Sequence, residues 1–307
     1  MTGAVVHDVV VDPLPGAVYR TSPLKRFRRT RAQLRTLDDA IVEIVLEQRP
    51  MTVRQVFYQA EVKGLVGKSE DGYNVVQRRL VELRGVKAIP WSYITDGTRW
   101  VHGADTYGCL GQFMEDMART YRRDVWREAD ERVEVWIEKD ALSGVLLPVA
   151  HHWGVPLYVT RGFASLSYLQ SAADQAIQDK RPVTVLLMTD LDPSGIAIAE
   201  HVEVELTRRA AGIDVTVERL AVHPEQVVDW HLPTRPTKPG DSRGARFAHD
   251  YGVECTELDA IGPAVLRSLV SGAIAEHAPA GFDRLRKVEA AERETLKSYA
   301  AALGGEA

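Results

Sequence analysis

The sequence predicts an α/β fold in which a parallel sheet covered by helices follows a smaller, mainly helical unit. Between residues 133 and 220, short apolar, β-branched runs alternate with helix-length amphipathic stretches, the pattern of a parallel sheet with helices on both faces. Two of these runs, residues 133–137 (VEVWI) and 183–188 (VTVLLM), read as central strands and stop abruptly at carboxylates. Glu138 follows the first, and Asp190 and Asp192 follow the second. Upstream, from residue 31 onward, the dominant period is helical.

At 307 residues the chain has room for two cores, given roughly 150 residues per domain. A formal charge of −5 argues against indiscriminate nucleic-acid binding, yet the charge is uneven. Arg20, Lys25, Arg26, Arg28, Arg29, Arg31 and Arg35 follow one another with no acid among them, either a phosphate-binding arm or a solvated helix start. Cys109 and Cys255 lack the spacing of a disulfide framework or a zinc site, which fits a reducing compartment. No signal-like start is present, and no apolar run approaches the roughly 18 residues that span a bilayer. The expectation is a cytoplasmic protein with no membrane partner.

Residues 1–30 read as an extended basic arm. In residues 34–46, Leu37, Ala40, Ile41, Ile44 and Val45 recur at helical spacing, and the helix should end before Arg49-Pro50. Thr52 can cap a helix over residues 53–62 that closes near Gly64, and residues 73–84 form a second helix with Arg78, Arg79 and Arg84 available to solvent. Asp96-Gly97 then lies between β-prone pieces, the second containing Arg99, as in a hairpin. Helix, helix, hairpin is the order of a winged helix-turn-helix, which lays a helix in a DNA groove, although similar modules bind only protein. Residues 31–125 would form this domain, with residues 113–126 as a linking helix. Gly67-Lys68-Ser69 imitates the tail of a phosphate-binding loop, but the glycine required five positions earlier is Val62. An ATP-driven step would need a partner.

Residues 130–235 carry the sheet: strand 133–137, helix 141–152, strand 155–159, helix 165–178, strand 183–189, helix 196–210 and strand 214–220. Ligands of open α/β sheets bind at the carboxyl ends of strands, where Glu138, Asp190 and Asp192 fall. Three carboxylates from two strand ends can share a magnesium ion, since hard divalent ions take oxygen ligands; Asp192 alone could equally be a helix cap. Residues 236–307 comprise the rest of a basic Pro- and Gly-rich loop (233–246), which is a connector or a phosphate contact, and two terminal helices near 263–277 and 283–303.

The stretches VWIEKDAL, Thr160-Arg161-Gly162-Phe163 and TDLDPSG, in this order and spacing, resemble a Toprim domain. The most similar version belongs to the topoisomerase VI A subunit and the meiotic double-strand-break proteins, which place a winged-helix domain before it. The family's Arg-x-x-aromatic-Tyr motif is matched by Arg54-Gln55-Val56-Phe57-Tyr58. The resemblance covers residues 50 to 235 and implies that Tyr58 attacks DNA. Glu138, Asp190 and Asp192 would hold magnesium or manganese, with Glu138 also catalytic. A phenol with a pKa near 10 needs a nearby cation or base, and Arg54 lies one helical turn away. Read from the residues alone, Tyr58 is instead a core aromatic of an amphipathic helix. Arg78, Arg79, Arg84, Arg99 and Arg161 are the candidate contacts to double-stranded DNA. The resemblance also implies a homodimer with composite sites and, for strand passage, a separate ATPase subunit. The chain departs from the family's Gly-Lys-Gly-Tyr-Pro stretch, having Arg161-Gly162-Phe163-Ala164-Ser165. A hydrolytic Toprim nuclease, as in plasmid-defence complexes, and a noncatalytic DNA-binding subunit are the competing readings.

Overall fold

A computed structural model describes residues 29–94, 105–238 and 241–304. The expected hairpin at Asp96-Gly97, Arg99 and the arm up to residue 28 lie outside the described residues.

Three helices open the chain: α1 (Arg31–Gln48), α2 (Val53–Val62) and α3 (Glu70–Gly85). Thr30 and Thr52 close capping boxes with Gln33 and Gln55, so α1 and α2 begin where side chains satisfy otherwise orphaned backbone N–H groups. Their apolar stripes meet in one core of Leu37, Ile41, Ile44, Val56, Phe57, Tyr58, Val76 and Leu80. α4 (Leu110–Thr120) starts three residues before the expected linking helix of residues 113–126 and stops six residues short of its end, and it packs on the C-terminal helix rather than on this bundle. Trp126 is instead buried in a non-helical segment, its indole Nε1 donating to the Trp153 carbonyl at 2.6 Å.

The sheet unit follows as β1 (Arg132–Ile137), α5 (Ser143–Trp153), β2 (Leu157–Val159), α6 (Leu166–Asp179), β3 (Val183–Met188), α7 (Pro193–Arg209) and β4 (Val215–Ala221). All four strands are parallel, in the order β2-β1-β3-β4, a Rossmann-like arrangement. Strand alternation divides the core. Val133, Val135, Ile137, Leu186 and Met188 face α5, whereas Trp136, Val183, Val185 and Leu187 face α6 and α7. Connections leave β1 toward β2 and β3 toward β4 on opposite sides, so the topological switch point lies between β1 and β3.

α7 starts three residues before the expected Ile196. Asp192 Oδ1 accepts from Ser194 N at 3.0 Å and Gly195 N at 2.8 Å, and Pro193 takes the first helical position. A Cβ on Gly195 would collide with the Asp190 carbonyl oxygen, so glycine lets the helix start press against the strand end. After α8 (Pro224–Asp229), the expected loop 233–246 proves partly ordered. β5 (Arg235–Pro236) pairs antiparallel with β6 (Glu254–Cys255), and α9 (Gly244–Tyr251) lies between them. α10 (Pro263–Glu276) packs on α5, and α11 (Phe282–Gly304) on α4. No helix among the described residues is long and apolar enough to cross a membrane.

Candidate active site

β1 and β3 are in register, Ile137 opposite Met188, and Glu138 N donates to the Met188 carbonyl at 3.0 Å. The next residues are therefore brought side by side, and Glu138 Oε2 accepts from Asp190 N at 3.3 Å. Both carboxylates stand at the carboxyl edge, at the switch point. Burial, then the Asp190 carboxylate, pushes the Glu138 carboxyl up to about 7. Burial also raises Asp190, against the pull of Lys139. Asp192 is near enough to raise both, but one of its oxygens caps α7 and the other lies 3.8 Å from Arg235. Both readings of Asp192, cap and member of the acidic set, describe its surroundings. Among the described residues no three Asp, Glu, His or Cys side chains form a ready-made metal-ligand group.

A second acidic pair completes the site from a distant segment. After β6 the chain crosses the strand ends, where Leu191 and Thr256 form a β-bridge and Leu258 N donates to Asp190 Oδ1 at 2.8 Å. This places Glu257 and Asp259 around Lys139, whose Nζ lies 2.8 Å from Asp259, 3.0 Å from Asp190 and 3.3 Å from Glu257. Burial disfavours the Lys139 ammonium, but Asp259, Asp190 and Glu257 more than offset it and its pKa rises. Burial likewise opposes the Glu257 charge, yet Lys139, Arg54 and Arg235 hold that carboxyl down to about 2. Five carboxylates thus face three cations. Burial first, and then the neighbouring charges of Asp190 and Asp192, keep Glu138 difficult to ionise.

The helical unit docks on this cluster. Arg54 bonds Glu257 at 2.5 Å, and Arg267 donates to the Gln48 and Pro50 carbonyls at 3.1 and 3.2 Å. Tyr58, one turn beyond Arg54 on α2, is 9% exposed and packs beside Phe57. Its hydroxyl lies in the field of the cluster: burial and Glu257 raise its pKa, while Lys139 and Arg54 oppose them. Tyr58 is thus a buried aromatic of the helical core that also lies within the electrostatic reach of the cluster. A cleft of about 1010 Å³ separates the two units, with Arg54, Tyr73, Arg84 and Trp91 on one wall and Glu138, Lys139 and Arg161 on the other.

The candidate DNA contacts fare unequally. Arg78 is exposed. Arg79 is not available as expected, because Asp38 on α1 holds its guanidinium through two bonds of 2.6 Å and Glu82 takes a third. Arg84 lies 4.0 Å over the Trp91 ring on the cleft wall. Arg161, in a left-handed conformation with φ 54°, pairs with Asp140 at 2.9 Å and keeps an exposed side chain. Lys139, Arg235, Glu257 and Asp259 escaped the sequence reading. The only local signal for the acids was their alternate spacing just after a β-prone stretch, the pattern that marked Asp190 and Asp192.

With this geometry in place, known proteins add little. No protein-family model matches the chain, and no curated protein does.

Proposed function

We propose that the chain is a magnesium-dependent DNA-cleaving protein of the topoisomerase VI A type. In this reading residues 31–125 are a winged-helix unit and residues 130–235 a Toprim unit. The observation that supports it best is the contact between Glu138 and Asp190 at the switch point, with Glu138 itself lining a cleft that Arg54, Arg84 and Arg161 also line. The donor set suits a hard divalent ion. All its ligand atoms are carboxylate oxygens, negative charge is in excess, and Glu138 Oε1 and Asp190 Oδ2 accept no hydrogen bond among the described residues. Glu138 and Asp190 would hold magnesium or manganese, with Asp192 beside them. A bound ion there stabilises charge on the phosphoryl and leaving oxygens.

The chain's own residues supply the rest. Tyr58 is the nucleophile: its oxygen bonds to a backbone phosphorus, the bond to the 3′ oxygen breaks, the phenolic proton leaves and the 3′ oxygen takes one up. Arg54 and Lys139 oppose the burial that disfavours the phenolate. Glu138, whose carboxyl holds its proton up to about 7 in the metal-free protein, would give that proton up on ligating the ion. A homodimer and, for strand passage, a separate ATPase subunit belong to the same reading. The burial and raised pKa of Tyr58 favour a second reading, in which water is the nucleophile and the tyrosine is structural.

A plasmid assay separates them. Supercoiled DNA is incubated with the chain and magnesium or manganese, stopped with SDS, and run with and without proteinase K. The transesterase reading expects protein-linked ends from the wild type and a loss of cleavage of about 10³-fold or more in Tyr58→Phe, which keeps the ring in the core. Protein-free ends made equally by Tyr58→Phe mean hydrolysis, and no cutting by the wild type sinks both cleavage readings.

A further inference from the structure

The outward face of α5 carries three concavities that join end to end. The first, about 580 Å³, begins at Arg161 near the strand ends and reaches Leu147. The second, about 470 Å³, shares Leu147 and is lined by Arg122, His151, His152 and Arg286 with no acidic residue. The third, about 750 Å³, shares Arg122 and His151 and continues to Arg119. In a chain of formal charge −5, the three linings together hold six arginines against three aspartates, Asp124, Asp140 and Asp179, along a helix of 11 residues, about 16 Å long. Arg122 is exposed and donates to the backbone carbonyls of Arg119 at 3.2 Å and Tyr121 at 2.8 Å, and among the described residues no carboxylate pairs with it. Arg286, by contrast, is partly neutralised by Glu289 at 2.8 Å.

A small anion would need donors that converge on one point. Here the donors are strung along a line that starts beside the carboxylate site, the arrangement a polyanion with evenly spaced phosphates would follow. We propose that this face of α5 is a DNA-backbone track, carrying the duplex over about 5 base pairs beyond the cleft. The proposal rests on the DNA-cleavage reading and extends its footprint. Neither Arg122 nor His151 belongs to the site described above.

The test is duplex binding by fluorescence anisotropy in EDTA, over a range of salt, with one duplex just long enough for the cleft and another about 15 base pairs longer. Arg122→Glu and His151→Glu, each on an exposed residue of a different segment, are compared with the wild type after a thermal melt confirms folding. Arg122→Glu is expected to bind the long duplex about tenfold more weakly and to reduce the salt slope by about 1, and His151→Glu to bind it more weakly through its added negative charge, while both bind the short duplex as the wild type does. Arg122→Lys should behave as the wild type. A folded variant with the wild-type slope and affinity on both duplexes overturns the track and leaves the cleavage reading standing. A wild type without salt-dependent duplex binding overturns both.

Discussion

Replacing Asp190 with asparagine is expected to reduce metal-dependent DNA cleavage by about a thousandfold or more. Binding of DNA in EDTA should be unchanged. Asparagine keeps an oxygen for the Leu258 N–H, now 2.8 Å from Asp190 Oδ1, so the crossing segment stays in place. It removes the charge that pairs with Lys139 and that the proposed divalent ion would use. A fold-preserving variant that still cuts at the wild-type rate would remove Asp190 from the chemistry. Product formation on plasmid, timed from addition of magnesium, gives the comparison directly.

The second large effect falls on stability. Lys139→Met is expected to destabilise the metal-free protein by about 3–5 kcal/mol, because it leaves Asp190, Glu257 and Asp259 largely buried around a lost cation. Urea denaturation measures it. The pH dependence has a definite sign. Glu257 is held at about 2, below its ordinary 4.5, so its contribution is present above the ordinary value and is lost as pH falls through about 2. Without Lys139 that contribution shrinks, so the deficit should be largest above pH 5 and diminish in acid. A deficit independent of pH, or none, would show that the ammonium does not hold the cluster together.

The ends of β1 and β3 were legible because two local signals coincide there, an apolar β-branched run and a carboxylate that stops it. α2 was legible to the residue, since Thr52 announces the cap and Gly64 the exit. The start of α7 was misread because Pro193-Ser194-Gly195 looks like a turn, although Asp192 caps that same segment. Arg79 illustrates another limit: helical spacing placed it on an outer face, but α1 brings Asp38 to meet it. The acidic partners of Lys139 were hidden for the same reason. Glu257 and Asp259 reach the strand ends only through the β5–β6 pairing and the Leu191–Thr256 bridge, contacts between segments far apart in sequence. Three carboxylates of the candidate site, Glu138, Asp190 and Asp192, could be read from the chain. Glu257 and Asp259 could not, because pairing across that distance leaves no periodic trace.

The claim that the strand-end carboxylates bind a divalent ion is tested most directly by calorimetric titration of manganese into the purified chain and into Asp190→Asn. Glu138 prefers its proton up to about pH 7 in the metal-free protein, and an ion must displace that proton. The wild type should therefore bind manganese at pH 8, with affinity falling by up to about tenfold per unit below pH 7, while Asp190→Asn should not bind measurably. Manganese binding that is equal in the two proteins, or undetectable in the wild type at pH 8, would contradict the account.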